Sequence, residues 1–153
     1  TLFPYTTLFR SPDKSQPLVE QLLQADPGNY QLILMNARIL RDQRKFQPAA
    51  QAFYQALRIK PDVPETWSDL AGILVLIDDY GHALAALDKV RALNGEKPGH
   101  IYLRAIIYDK VRQIKPALAS YKEFLAVSGG KYPDEEFKAR QRARILQTEL
   151  DKR

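Results

Sequence analysis

Apolar residues along this chain recur with two periods at once: a local spacing of three and four residues, and a longer repeat of 34. The local spacing predicts amphipathic helices, and nothing alternates apolar with polar as a half-buried strand does. The long period shows when segments beginning at Tyr30, Pro64 and Pro98 are aligned, which they do without a gap; a fourth start falls at Tyr132. Repeat position 8 is Ala37, Ala71 and Ala105, and position 20 is Ala49, Ala83 and Ala117, small in every copy. Position 24 is Phe53, Leu87 and Tyr121, position 27 is Ala56, Val90 and Phe124, and position 17 is Phe46, Tyr80 and Ile114. Small residues at fixed places let two helices approach closely, and the large ones fill the space between them.

Proline keeps the same register for an independent reason, because it is tolerated in a first helical turn or just beyond a helix end and not inside. Pro48 and Pro116 share position 19, where a second helix is expected to begin; Pro27 and Pro61 share position 32, after it ends; Pro64 and Pro98 open the next unit. Each unit is therefore expected to be a helix, a turn and a second helix, with Gly95, Gly99, Gly129 and Gly130 as helix stops.

These residues resemble the tetratricopeptide repeat (TPR) family, whose 34-residue unit is a helix-turn-helix. The middle copy carries Trp67, Leu70, Ala71, Leu74, Tyr80, Ala83 and Leu87 at the signature positions, with Gly95 in place of the closing proline. The first copy departs at Ile33 and Asn36, and the third has Arg104 where the family usually has leucine. The resemblance implies an all-α fold: a right-handed superhelix of antiparallel helix hairpins, a TPR-like solenoid with a C-terminal capping helix. The expected organisation is a non-native tail at 1–11, the second helix of a truncated repeat at 12–29, repeats at 30–63, 64–97 and 98–131, and a capping helix at 132–153. The repeat core is assigned to Ala37, Ala49, Phe53, Trp67, Ala71, Tyr80, Ala83, Leu87, Ala105, Ala117 and Tyr121.

Both flanks carry expectations of their own. Thr1 to Ser11 reads TLFPYTTLFRS, which resembles an in-frame translation of a sequencing-adapter oligonucleotide; the alternative is an authentic apolar tail docked on the domain. Ser15, Val19, Leu22 and Pro27 fall at positions 20, 24, 27 and 32 of an incomplete repeat. A hairpin half without its neighbour exposes apolar surface, so this end is expected to self-associate or fray. Pro133 to Lys152 reads as one long helix, acidic at its start (Asp134, Glu135, Glu136) and basic at its end, which suits the helix dipole. Its apolar seam is Ala139, Ala143, Leu146 and Leu150, as a solenoid cap requires.

Composition then removes alternatives. The 153 residues hold no cysteine and two histidines, so disulfides and thiolate metal sites are excluded and catalytic material is thin. His82 and His100 occupy unrelated repeat positions and read as structural; Asp78 and Asp79 sit at an inter-helix turn and read as caps. The glycines form no phosphate-cradling or dinucleotide motif, no run of apolar residues approaches a membrane span, and no cofactor or metal is expected. The net charge of +5 suggests only mild attraction to acidic partners.

In the family the first helices line a concave groove through positions 2, 5, 9, 12 and 13. Here these are Gln31, Leu34, Arg38, Arg41 and Asp42; Glu65, Ser68, Gly72, Val75 and Leu76; and Gly99, Tyr102, Ile106, Asp109 and Lys110. The implied function is a non-enzymatic scaffold that binds a peptide or helix, with an acidic part of the ligand near Arg38 and Arg41 and apolar anchors beyond. Val75 and Leu76 serve equally well as packing residues. The family's clamp for chaperone tails needs a lysine and an asparagine where Leu34 and Arg38 stand, and later positions hold Asp69, Gly99 and Leu103, so that ligand is disfavoured. One rival reading is an accessory region of a larger protein whose upstream part is an enzyme or an anchor. Another is nucleic-acid binding through Arg38, Arg41, Arg44 and Lys45 and through Lys138 to Arg144, four basic residues without an acid.

Overall fold

In the computed structural model, which describes residues 12–153, eight helices follow one another and no strand occurs among the described residues. They are α1 (Pro12–Ala25), α2 (Tyr30–Asp42), α3 (Phe46–Ile59), α4 (Pro64–Leu76), α5 (Tyr80–Ala92), α6 (Pro98–Lys110), α7 (Ile114–Val127) and α8 (Pro133–Asp151). The adapter-like stretch lies outside the described residues. First helices of the hairpins thus begin at Tyr30, Pro64 and Pro98, and second helices at Phe46, Tyr80 and Ile114. Those second starts precede Pro48 and Pro116 by two residues, so each proline still lies in a first turn, where no backbone N–H is needed.

The turn inside each hairpin is the same device three times over. Arg44, Asp78 and Arg112 share repeat position 15 and adopt positive φ, at 61°, 58° and 61°. At each, one N–H bonds three residues back and the next bonds five back: Arg44 to Arg41 and Lys45 to Leu40, Asp78 to Val75 and Asp79 to Leu74, Arg112 to Asp109 and Gln113 to Tyr108. This is the Schellman closure of a helix, usually assigned to glycine because a side chain is strained there. Asn94 repeats it after α5, at φ 57°. Two expectations about glycine are corrected as a result. Asn94, not Gly95, turns the chain after α5, and Gly99 is the second residue of α6, a helix start and not a stop. Gly129 and Gly130 do break the chain before α8, with φ of 61° and 75°.

The described residues divide into two compact units, one ending at Ala86 and the other beginning at Leu87. Within the first, α1 packs on α2, α2 on α3, and α3 on α4. Ala37, Ala49 and Ala71 have no exposed surface, and Phe53, Leu70, Ile73 and Leu74 fill the space beside them. The hydroxyls of Tyr30 and Thr66 share a buried hydrogen bond of 3.1 Å, which ties the start of α2 to the start of α4. Trp67 and Tyr80 are only half-buried, and the reason is their polar atoms: the indole N–H donates to the Pro61 carbonyl at 2.8 Å, and the phenol donates to Asp78 at 2.5 Å. Ala83 is fully buried. In α1, Ser15 and Val19 are buried while Leu18 and Leu22 are exposed; Pro17 falls inside this helix and removes one ladder donor.

In the second unit α6 packs on α7 and α7 on α8. Ala105 and Ala117 have no exposed surface, Leu87 and Val90 are enclosed, and Tyr121 and Phe124 are buried beside Ala139 and Leu146 of α8. Ala143 and Leu150 complete that seam from partly buried positions. The helix begins with Asp134, Glu135 and Glu136 against its positive end. Burying a Leu or Phe side chain in such a seam contributes roughly 1.5–3 kcal/mol.

Candidate functional site

The expected ligand face begins on α2. Asn29 accepts the Leu32 N–H at 3.2 Å and donates to Asp26 at 3.0 Å, which fixes where the helix starts. From that start Gln31, Leu34, Arg38 and Arg41 fall on one face by helical spacing. A hollow of about 380 Å³ opens there, lined by Gln31, Leu34, Met35, Arg38, Ile39, Arg41 and Asp42, with Ser15 of α1 on its far wall. Leu34 is buried in that wall, Arg41 is half-buried, and Gln31, Arg38 and Asp42 are open to solvent.

Both arginines are already engaged. Arg38 donates through Nε and Nη2 to Asp69 Oδ2, each at 3.4 Å, and Arg41 donates through Nη1 to Asp69 Oδ1 at 3.4 Å and through Nε to Asp42 at 3.0 Å. Two cations thus face two carboxylates, and the end expected to be basic is close to neutral. Sequence reasoning missed Asp69 as a partner of these arginines. The available signal was its place at position 6 of the next repeat, which brings a carboxylate on α4 beside positions 9 and 12 of α2.

On α4, Glu65 is exposed and Ser68 and Val75 are half-buried, while Leu76 keeps 60% of its surface in solvent. A Cβ built on Gly72 meets nothing within 4 Å, so the surface between Ser68 and Val75 is open. The α2 and α4 candidates therefore belong to one unit, and Asp69 links them.

The candidates on α6 have different surroundings. Tyr102 joins an aromatic cluster, 4.9 Å from the Phe124 ring centre and 6.2 Å from that of Tyr121. Asp109 is held by Arg142 of α8, whose Nη2 donates at 2.8 Å, and by the Tyr121 hydroxyl at 3.3 Å. The Arg142 hydrogen bond keeps the Asp109 carboxyl below its ordinary range; burial, and then the Asp109 charge, push the Tyr121 phenol up. Ile106, Lys110, Arg112 and these three residues frame a hollow of about 280 Å³. Ile106 is half-buried, and Gly99 and Lys110 are exposed.

Other polar residues make local contacts. Arg104, at the position where leucine is usual, is 5% exposed and lies 2.6 Å from Asp88 and 3.6 Å from Glu96; Arg91 binds Glu96 and Glu123. Arginine fits a leucine site here because two carboxylates meet its charged end. Asp79 accepts the backbone N–H of His82 at 3.4 Å and contacts its Nδ1 at 2.9 Å, and His100 Nδ1 accepts the Lys97 N–H at 2.9 Å. Burial pushes the His100 imidazole below its ordinary value. Among the described residues no three His, Asp or Glu side chains gather as metal ligands, and no helix is long and apolar enough to cross a membrane.

Helical hairpins with small residues at their contacts, bearing an open face on the first helices, define a TPR-like solenoid fold, and solved structures share it. One is similar over 93% of this chain and 86% of its own, with 16% identity and a TM-score of 0.72: MamA 41-end from Desulfovibrio magneticus RS-1. YrrB, a TPR protein with an unusual peptide-binding site, is similar over 84% of this chain and 63% of its own, at 14% identity and a TM-score of 0.66. The first TPR of Spaghetti (RPAP3), bound to the HSP90 peptide SRMEEVD, is similar over 80% of this chain and 93% of its own, at 15% identity and a TM-score of 0.65. No family profile and no curated protein sequence matches the chain.

Proposed function

We propose that this chain is a non-enzymatic protein-binding scaffold, organised as three TPR repeats over 30–131 with α8 as their cap, and that the α2 and α4 face takes a peptide. The observation that carries this reading is the hollow beside Arg38 and Arg41, which Asp69 links to an α4 surface left open at Gly72 and Leu76. Similar folds in YrrB and RPAP3 belong to proteins whose descriptions name a peptide-binding site or a bound peptide, which supports the class of ligand.

Asp69 refines the ligand's chemistry. An acidic side chain of the peptide has to compete with Asp69 for Arg38 and Arg41, while Leu34, Val75 and Leu76 offer apolar contact. A chaperone tail is not the favoured ligand, since Leu34 and Arg38 stand where that clamp needs lysine and asparagine. Peptides selected from a random display library on the full chain test the reading by calorimetry. Arg38→Glu with Arg41→Glu should abolish binding of acidic peptides, and Asp69→Asn should tighten it by about three- to tenfold as a competing charge is removed. Unchanged affinity in both variants removes the proposal.

A further inference from the structure

We infer that the outer face of α8 is a second docking surface, independent of the α2 and α4 face, and that it takes an acidic amphipathic helix of a partner protein. Helix α8 is buried along Ala139, Ala143, Leu146 and Leu150. Phe137 and Ile145 lie roughly 140° and 220° round the axis from that seam and are 61% and 51% exposed. They stand about 12 Å apart along the helix, with Gln141 between them on the same stripe. Large apolar side chains spaced two turns apart on a polar helix form the complement of a partner helix with its own apolar ridge.

Charge states the kind of helix. Lys138 and Arg144 flank the stripe on opposite sides, and neither has an ion-pair partner among the described residues, whereas Arg140 pairs with Glu136 and Arg142 with Asp109. No acid occurs from Phe137 to Thr148. A ridge of leucines bordered by carboxylates therefore meets two apolar anchors and two unpaired cations.

The other occupants fit less well. A second copy of this face brings the same two cations and, between Phe137 and Thr148, no carboxylate to meet them. A nucleic-acid duplex draws its affinity from many phosphate contacts, about 6–10 in typical binders, and this stripe offers two free cations and one aromatic ring. An interfacial membrane helix needs a continuous apolar face, and here that face is turned into the core.

The test uses the full chain and a fluorescein-labelled helical peptide of roughly four turns, with leucines at i, i+4 and i+8 between glutamates, read by anisotropy. Saturable binding is expected, weakened by salt, and lost for the same peptide with lysine in place of glutamate. Phe137→Ser with Ile145→Ser, and Lys138→Glu with Arg144→Glu, should each weaken it by about tenfold or more. These side chains are exposed, so circular dichroism should stay helical. Arg38→Glu with Arg41→Glu should leave this binding unchanged, which separates its failure from failure of the α2 and α4 reading. The inference is overturned by absence of saturable binding, by equal binding of the lysine peptide, by indifference to the α8 variants, or by sensitivity to the Arg38 and Arg41 pair. It is also overturned if phosphatidylserine vesicles or a mixed-sequence oligonucleotide bind through these four residues while the glutamate peptide does not.

Discussion

Single residues in this chain show where strain and charge are stored. Arg44 and Arg112 hold the left-handed turn of a Schellman closure, a conformation that costs an L side chain roughly 1–2 kcal/mol and glycine little. Glycine returns part of that gain through its freer unfolded state. Arg44→Gly should raise stability by about 0.5–1 kcal/mol in urea unfolding, and a loss of stability would contradict the account of this turn; at Arg112 the same gain is offset by loss of its 2.7 Å ion pair with Glu149. The carboxyl of Asp109 is held down by Arg142, so its folded pKa lies below its unfolded one. Its contribution is then complete above the unfolded carboxylate range near pH 4 and is lost as pH falls through the folded value. Asp109→Asn should cost about 1.5–3 kcal/mol at pH 7, and the gap from the parent chain should close as urea midpoints are followed toward pH 2. A constant gap would show that the carboxylate charge is not the source.

At the scale of the element, the hairpin starts, the alanine contacts and the α8 seam could be read in the sequence, because each depends on residue size at a fixed spacing. Ala117 shows the point: it has no exposed surface, and Ala117→Leu should destabilise by about 1–3 kcal/mol through overpacking, measurable by thermal unfolding. Leu146→Ala should cost about 2–5 kcal/mol by opening a cavity under α8. What the sequence hid was polar pairing across elements. Asp69 reaches Arg38 and Arg41 from the next hairpin, and Arg142 reaches Asp109 from α8. Such pairs depend on which long side chains meet after packing, and hydrophobic periodicity carries no trace of them. Gly129 and Gly130 act as the stops expected of them, and the stop assigned to Gly95 falls on Asn94 instead, which like Arg44 and Arg112 takes a backbone shape that glycine favours but does not monopolise.

For the whole molecule, the proposed function rests on surfaces. The two histidines are committed to local contacts with Asp79 and Lys97, and the chain holds no cysteine. The α2 and α4 face has a hollow and a carboxylate, Asp69, that pairs with its two arginines, and the proposal is that an acidic peptide competes with that carboxylate. The most direct test is amide hydrogen exchange of the full chain with and without a library-selected acidic peptide. Slowed exchange in 30–42 and 64–76, absent in the Arg38→Glu and Arg41→Glu double variant, is the predicted result. Unaltered exchange in both helices while the peptide is bound would contradict the assignment of that face as the binding surface.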